Sequence, residues 1–219
     1  MATLSRDLRR ELERVVISAR RVAEAGTRKA IEALAVQQEK PGAGMTDEQK
    51  RLRVRLRAHA RQLGDREGPK RDTLTIDHLA AECAYEDWHR MLFARFLAEC
   101  DLLIEPGTGV AISFTECQEL ARERKIDWLQ LASSFAVRML PQIFRSGDPV
   151  LEISLPPETR HKLEELLKGL PGDVFRADDS LGWVYQFWQA ERKDEVNKSG
   201  VKIGADELPA VTELFTEDY

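Results

Sequence analysis

The chain of 219 residues has only three cysteines, and no two of them form a C-x-x-C pair. Cys83, Cys100 and Cys117 have no histidine at ligand spacing, so a zinc site, which takes about four close-set ligands, is not expected. The three read as small buried apolar residues, and an odd count needs no disulfide partner in a reducing compartment. No run of about 18 apolar residues occurs, which argues against a membrane-spanning helix. The opening Met1-Ala2-Thr3-Leu4-Ser5-Arg6 lacks the apolar stretch of a signal peptide, so an intracellular, cytoplasmic protein without membrane partners is expected. Gly-rich phosphate loops and the G-x-S-x-G nucleophile elbow are missing too. Gly107-Thr108-Gly109 is a G-x-G fragment that reads as a turn. His59, His78, His89 and His161 sit in no metal-binding or nucleophile-activating motif. Neither a catalytic residue nor a metal ligand is assigned, and catalysis by these residues alone is not expected.

Hydrophobic residues make up 42% and charged residues 32% of the chain. A chain of this length and apolar content can bury a core, which excludes a disordered acidic tail. The net charge of −5 hides an uneven distribution. Residues 1–71 hold 18 Lys and Arg against 10 Asp and Glu, a net +8. Residues 72–219 hold 15 against 28, a net −13. A basic portion can meet a polyanion, and an acidic remainder limits indiscriminate association. We expect a basic N-terminal helical segment over 1–71 and a helical accessory domain over 72–219.

Apolar residues recur at helical spacing almost throughout. Leu4, Leu8, Leu12, Val15, Ala19, Val22 and Ala23 predict a first helix. Gly26 interrupts the stripe, and Ile31, Leu34 and Ala35 carry it on to about residue 38. Thr46-x-x-Gln49 reads as a capping box that opens a second helix. There Leu52, Leu56, Ala60 and Leu63 form one stripe and Arg53, Arg57 and Arg61 another, each step about 6 Å along the axis. Residues 64–71 read as a polar connector and domain boundary. A third helix is predicted from Asp77 to about 103, capped by Thr75 or Asp77. After a turn at 105–109, Thr115-x-x-Gln118 reads as a second capping box. Further helices are predicted over about 126–140, from Pro157 to Lys168, over 181–196 behind Asp178-Asp179-Ser180, and from Asp206 towards Phe215. Ile112-Ser113-Phe114 and Val150-Leu151-Glu152-Ile153 are too short to carry a sheet. The predicted fold class is all-α, an irregular multi-helix bundle.

Lys50, Arg51, Arg53, Arg55, Arg57 and Arg61 lie within twelve residues. Guanidinium forks match phosphate oxygens, and neutralising phosphates releases counterions. Two readings stand: contact with double-stranded DNA, or an exposed helix whose arginine stems cover apolar surface. The aromatic group Trp183, Tyr185, Phe187 and Trp188 reads as core at helical spacing, with an interface as the alternative.

Three stretches resemble a known family. One is Leu181-Gly182-Trp183-Val184-Tyr185-Gln186-Phe187-Trp188 with Glu191-Arg192-Lys193-Asp194-Glu195-Val196 and the segment 206–216. Another is Cys83-Ala84-Tyr85-x-x-Trp88-x-Arg90-Met91, running to Arg95-Phe96-Leu97. The third is Ser134-Phe135-Ala136-Val137-Arg138-Met139-Leu140-Pro141. Together they resemble the region before the catalytic domain of PglX-type adenine-specific DNA methyltransferases. That family serves BREX phage defence and has relatives in DISARM and in fused restriction–modification enzymes. The resemblance covers residues 75–219 well and 1–74 loosely. It implies an N-terminal accessory module of a larger enzyme that uses S-adenosylmethionine, with DNA and other defence-system subunits as partners. It also implies that Phe215 and Thr216 begin a cofactor-pocket motif. Glu217 stands where the family often has proline. The family's Asn-Pro-Pro-Tyr-like and Gly-rich motifs are not present, so no methyl transfer by this chain alone is implied. The −13 remainder and the aromatic density keep open a stand-alone helical adaptor that binds protein.

Overall fold

A computed structural model describes residues 3–144 and 147–199, with side chains to residue 190. Among the described residues there are eight α-helices. They are α1 (Arg6–Ala33), α2 (Asp47–Gln62), α3 (Asp77–Glu99), α4 (Phe114–Arg124), α5 (Trp128–Ala136), α6 (Pro157–Gly169), α7 (Gly172–Arg176) and α8 (Ser180–Ser199). A two-stranded antiparallel hairpin joins β1 (Ile104–Glu105) to β2 (Val110–Ala111), with Ile104 opposite Ala111. A 3-10 turn covers Pro149–Glu152. The fold is all-α and multi-helix, as the periodicity predicts. The hairpin occupies the predicted turn at 105–109, where Gly109 takes φ +69°, a backbone state glycine enters without strain. The short helix α7 is an addition, because five residues after Pro171 are too few to show a period.

The chain divides into two compact units, Arg20–Glu165 and the described residues of Met1–Ala19 with Leu166–Tyr219. The sequence boundary near residue 71 falls inside Arg20–Glu165. In that unit α3 packs on α2, α4, α5 and the 3-10 turn. One core cluster joins Ile31 and Val36 to Leu56 and Ala60 of α2, Leu79 and Cys83 of α3, and Val150 and Ile153. In the other unit the backbone N–H of Leu4 donates to Asp179 Oδ1 at 2.8 Å, and Trp183 Nε1 donates to Asp179 Oδ2 at 2.9 Å. The Arg9 guanidinium lies 4.5 Å above the Trp183 ring, which stacks on Phe187. Trp183, Phe187 and Trp188 are buried, in line with a core role for the aromatic group.

Several helix ends differ from their predicted positions for identifiable reasons. α1 stops at Ala33, short of residue 38. Ala35 turns left-handed at φ +50°, and its neighbours fold back, with Val36 N–H reaching Ile31 O. The α4 cap is Ser113 with Glu116, two residues before the predicted Thr115 box. Ser113 leaves the hairpin in extended geometry, and its N–H is taken by the Glu116 carboxylate at 2.7 Å. That bond, with the Ser113 hydroxyl, holds the Glu116 carboxyl below its ordinary range. A carboxylate at a helix start also meets the positive end of the dipole, which the Gln118 amide would not. α3 has Ile76 at its N-cap position with no side-chain bond of its own. Its free amides are met from elsewhere in the chain.

Cys83 and Cys117 are buried and Cys100 is half-buried. Burial pushes the Cys117 thiol up to about 11 and the Cys83 thiol well above its ordinary value. Gly26 lies inside an unbroken α1. A Cβ there would come within 2.3 Å of Thr159 Cγ2 and 2.6 Å of Thr159 Oγ1. Gly26 therefore marks a close approach of α6, and Thr27 and Thr159 beside it are both buried. Gly26→Ala gains about 1 kcal/mol of helix propensity but overpacks a contact at a cost of about 1–3 kcal/mol. The expected net result is a lower midpoint in thermal unfolding. A larger loss is expected for Gly26→Val.

Candidate nucleic-acid interface

α2 presents the predicted basic stripe on a well-formed helix. Thr46 caps it reciprocally with Gln49: Gln49 N–H donates to Thr46 Oγ1 at 3.2 Å and Thr46 N–H to Gln49 Oε1 at 3.0 Å. Leu56 and Ala60 of the apolar stripe are fully buried. The six basic side chains then divide into different environments.

Arg53 is inside the protein, only 4% exposed. Its Nε donates to Ala35 O at 3.0 Å, and its Nη2 to Glu39 O at 2.9 Å and to Gln38 O. Those carbonyls belong to the segment that follows α1, and Ala35 O also accepts from Gln38 N–H at 3.1 Å. Burial lowers the Arg53 pKa. Arg57 is half-buried and donates to Val36 O and Gln38 O of the same segment. Burial lowers its pKa first, and the charges of Arg53 and Arg61 lower it further. Arg55 is exposed and pairs with Glu152 at 2.7 Å, while also donating to Gly147 O. Lys50 pairs with Asp47 at 3.0 Å. Arg51 and Arg61 are exposed, and Arg61 Nη1 lies 3.4 Å from Arg57 O. Phe215 and Thr216, the predicted cofactor positions, lie outside the described residues, as does the predicted helix from Asp206.

The segment after α2, read from sequence as a connector, is firmly built. Asp65 is 2% exposed and its carboxylate meets the start of α3. Oδ1 accepts from His78 N–H at 3.3 Å and from the Thr75 hydroxyl at 3.0 Å, and Oδ2 accepts from Leu79 N–H at 3.0 Å. A carboxylate on helix-start amides is a strong cap. Gln38 and Glu67 make isolated β-bridges to Thr73 and Leu74. Arg66 O accepts from Thr75 N–H at 2.8 Å, and Gly68 N–H donates to Thr73 O at 2.9 Å. This turn and the end of α2 enclose a cleft of about 490 Å³. Its basic lining is Arg57, Arg61, Arg66, Lys70 and Arg71. Glu39, Glu67 and Asp72 also line it, together with the already bonded Asp65. Periodicity could not find the turn residues. Only their contribution to the +8 of residues 1–71 signalled them.

The class of protein that this chain is similar to is the adenine-specific methyltransferases, in line with the PglX-type resemblance. It is 33% identical over 84 residues to adenine-specific methyltransferase BrxX of Escherichia coli O9:H4 (strain HS). It is 30% identical over 86 residues to adenine-specific methyltransferase PglX of Lacticaseibacillus casei (strain Zhang). Each match covers 36% of this chain and 7% of the relative, so the chain spans a small part of the length of these relatives. No family model and no solved structure matches the chain.

Arg53→Met should remove the donor from three carbonyls. It should destabilise the chain by about 2 kcal/mol, the scale of hydrogen bonds to a charged group, while Ala35 O keeps Gln38 N–H and Gln38 O keeps Arg57. Asp65→Ala should cost about 2 kcal/mol by uncapping α3. Denaturant unfolding followed by circular dichroism checks both.

Proposed function

We propose that the chain is an N-terminal helical accessory module of an S-adenosylmethionine-dependent, adenine-specific DNA methyltransferase of a phage-defence or restriction–modification system. It positions duplex DNA, or a partner subunit bound to DNA, and leaves methyl transfer to other parts of the enzyme. The similarity to two adenine-specific methyltransferases, over a small fraction of their length, carries this reading. The sequence supports the division of labour. Its single asparagine, Asn197, is followed by Lys198, so no Asn-Pro-Pro-Tyr-like tetrapeptide exists in these 219 residues.

The cleft beside α2 carries five basic side chains and four carboxylates and offers no aromatic wall to an adenine ring, so nothing in its lining is assigned to the cofactor. No helix among the described residues is long and apolar enough to cross a membrane.

The test is to incubate the purified 219-residue chain with labelled S-adenosylmethionine and adenine-containing duplex DNA, and to measure binding by anisotropy across a salt series. The expected outcome is no incorporated methyl group. Duplex binding should fall with salt at a slope of about −0.9 per phosphate neutralised. Methyl transfer by the chain alone, or duplex binding indifferent to salt, would overturn the proposal.

A further inference from the structure

We propose that the turn 66–74 and the C-terminal half of α2 form a clamp for the phosphodiester backbone of duplex DNA. Its contacting cations are Arg61, Arg66, Lys70 and Arg71. This rests on the DNA-positioning function proposed above and relocates the contact within the basic segment. Arg53 and Arg57 support the wall of the clamp, and the four outer cations meet the ligand.

The first argument is how each cation is already engaged. Arg53 and Arg57 donate to carbonyls after α1, Arg55 pairs with Glu152 and donates to Gly147 O, and Lys50 does not line the cleft. Among the described residues, no carboxylate lies within ion-pair distance of Arg61, Arg66 or Lys70. Arg71 has only a long contact of 3.8 Å with Asp72, and those side chains are 95% and 62% exposed. A pair so open to water holds its arginine weakly.

The second argument is preorganisation. Arg66, Lys70 and Arg71 sit on a turn whose backbone is fixed on both sides. Thr73 donates twice to Lys70 O, through N–H at 3.2 Å and through its hydroxyl at 2.6 Å. Arg66 N–H donates to Thr75 Oγ1 at 3.0 Å, and the adjoining Asp65 is locked to α3. A Cβ on Gly68 would come within 2.5 Å of Thr73 Oγ1, so the turn closes tightly there. The cations are thus presented from a fixed scaffold opposite Arg61 of α2, which reduces the ordering cost of binding.

The third argument concerns the ligand. No aromatic side chain lines the cleft, so unstacked bases have no platform. Leu74 is its one large apolar residue, too little for the apolar anchor of a protein interface. Arginine forks and a lysine suit phosphate oxygens. Glu39, Glu67 and Asp72 are exposed at the same cleft, so the site is not uniformly positive. Such a site follows one backbone and reads no base edges.

The experiment is anisotropy of labelled duplexes of two unrelated sequences, titrated with the 219-residue chain and two triple variants. One variant is Arg66→Ala/Lys70→Ala/Arg71→Ala. The other, Arg122→Ala/Arg138→Ala/Lys162→Ala, removes the same charge from exposed positions elsewhere. Circular dichroism confirms that both fold. The clamp predicts at least about a 10-fold loss for the first variant on both sequences, a salt slope shallower by about 2–3, and little change for the second. Arg61→Ala should add to the loss, with partial recovery in Arg61→Lys. Equal losses in the two triple variants, or none in the first, would overturn the clamp and leave the DNA-binding function intact. Absence of any salt-dependent duplex binding by the unaltered chain would overturn both.

Discussion

The guanidinium of Arg53 holds the end of α1 to the second turn of α2, and much of the surrounding architecture follows from that contact. Backbone carbonyls that a turning segment shields from water need donors. Here one side chain donates to three carbonyls of residues 35–39, where the chain has left α1. The left-handed turn at Ala35 brings them within reach. With α1 and α2 fixed this way, Ile31, Val36, Leu56 and Ala60 meet in the same core cluster as Leu79 and Cys83 of α3. Asp65 makes the complementary contact just after α2, as an anion on the free amides of α3. A buried cation on carbonyls and a buried anion on amides thus bracket the same stretch of chain.

Around the cleft this arrangement leaves two kinds of positive charge. One kind is structural, desolvated and hydrogen-bonded to backbone. The other is exposed on the turn and the last part of α2. Desolvation explains why the two differ in availability: a guanidinium already bonded to backbone carbonyls would have to break those bonds to reach a phosphate. The exposed group loses only water. In the proposed clamp a basic helix and a locked turn act together.

The similarity to BrxX and PglX covers about a third of this chain. The aromatic residues that helped suggest the relationship from sequence have structural work in the fold. Trp88 is fully buried, and Trp183 is bonded through its ring N–H to Asp179 and covered by Arg9. Packing demands of this kind give a segment a recognisable pattern whether or not it touches a substrate.

Apart from the five-residue α7, helix identity was legible from residue spacing, since a 3.6-residue period is a local property. The Thr46–Gln49 cap, the start of α6 at Pro157 and the buried face of α2 lay in local patterns. Where two capping patterns overlapped, as at Ser113 and Thr115, the hairpin geometry before α4 made the choice. Gly26 looked like an interruption, and the tertiary structure made it a contact with Thr159. The amino-acid sequence by itself determined that the chain is helical and that its first third is basic. Only the tertiary structure decided which cations face solvent. Arg53 and Arg61 share one helical stripe, yet one meets the carbonyls beyond α1 and the other meets water, because burial depends on what packs opposite a side chain.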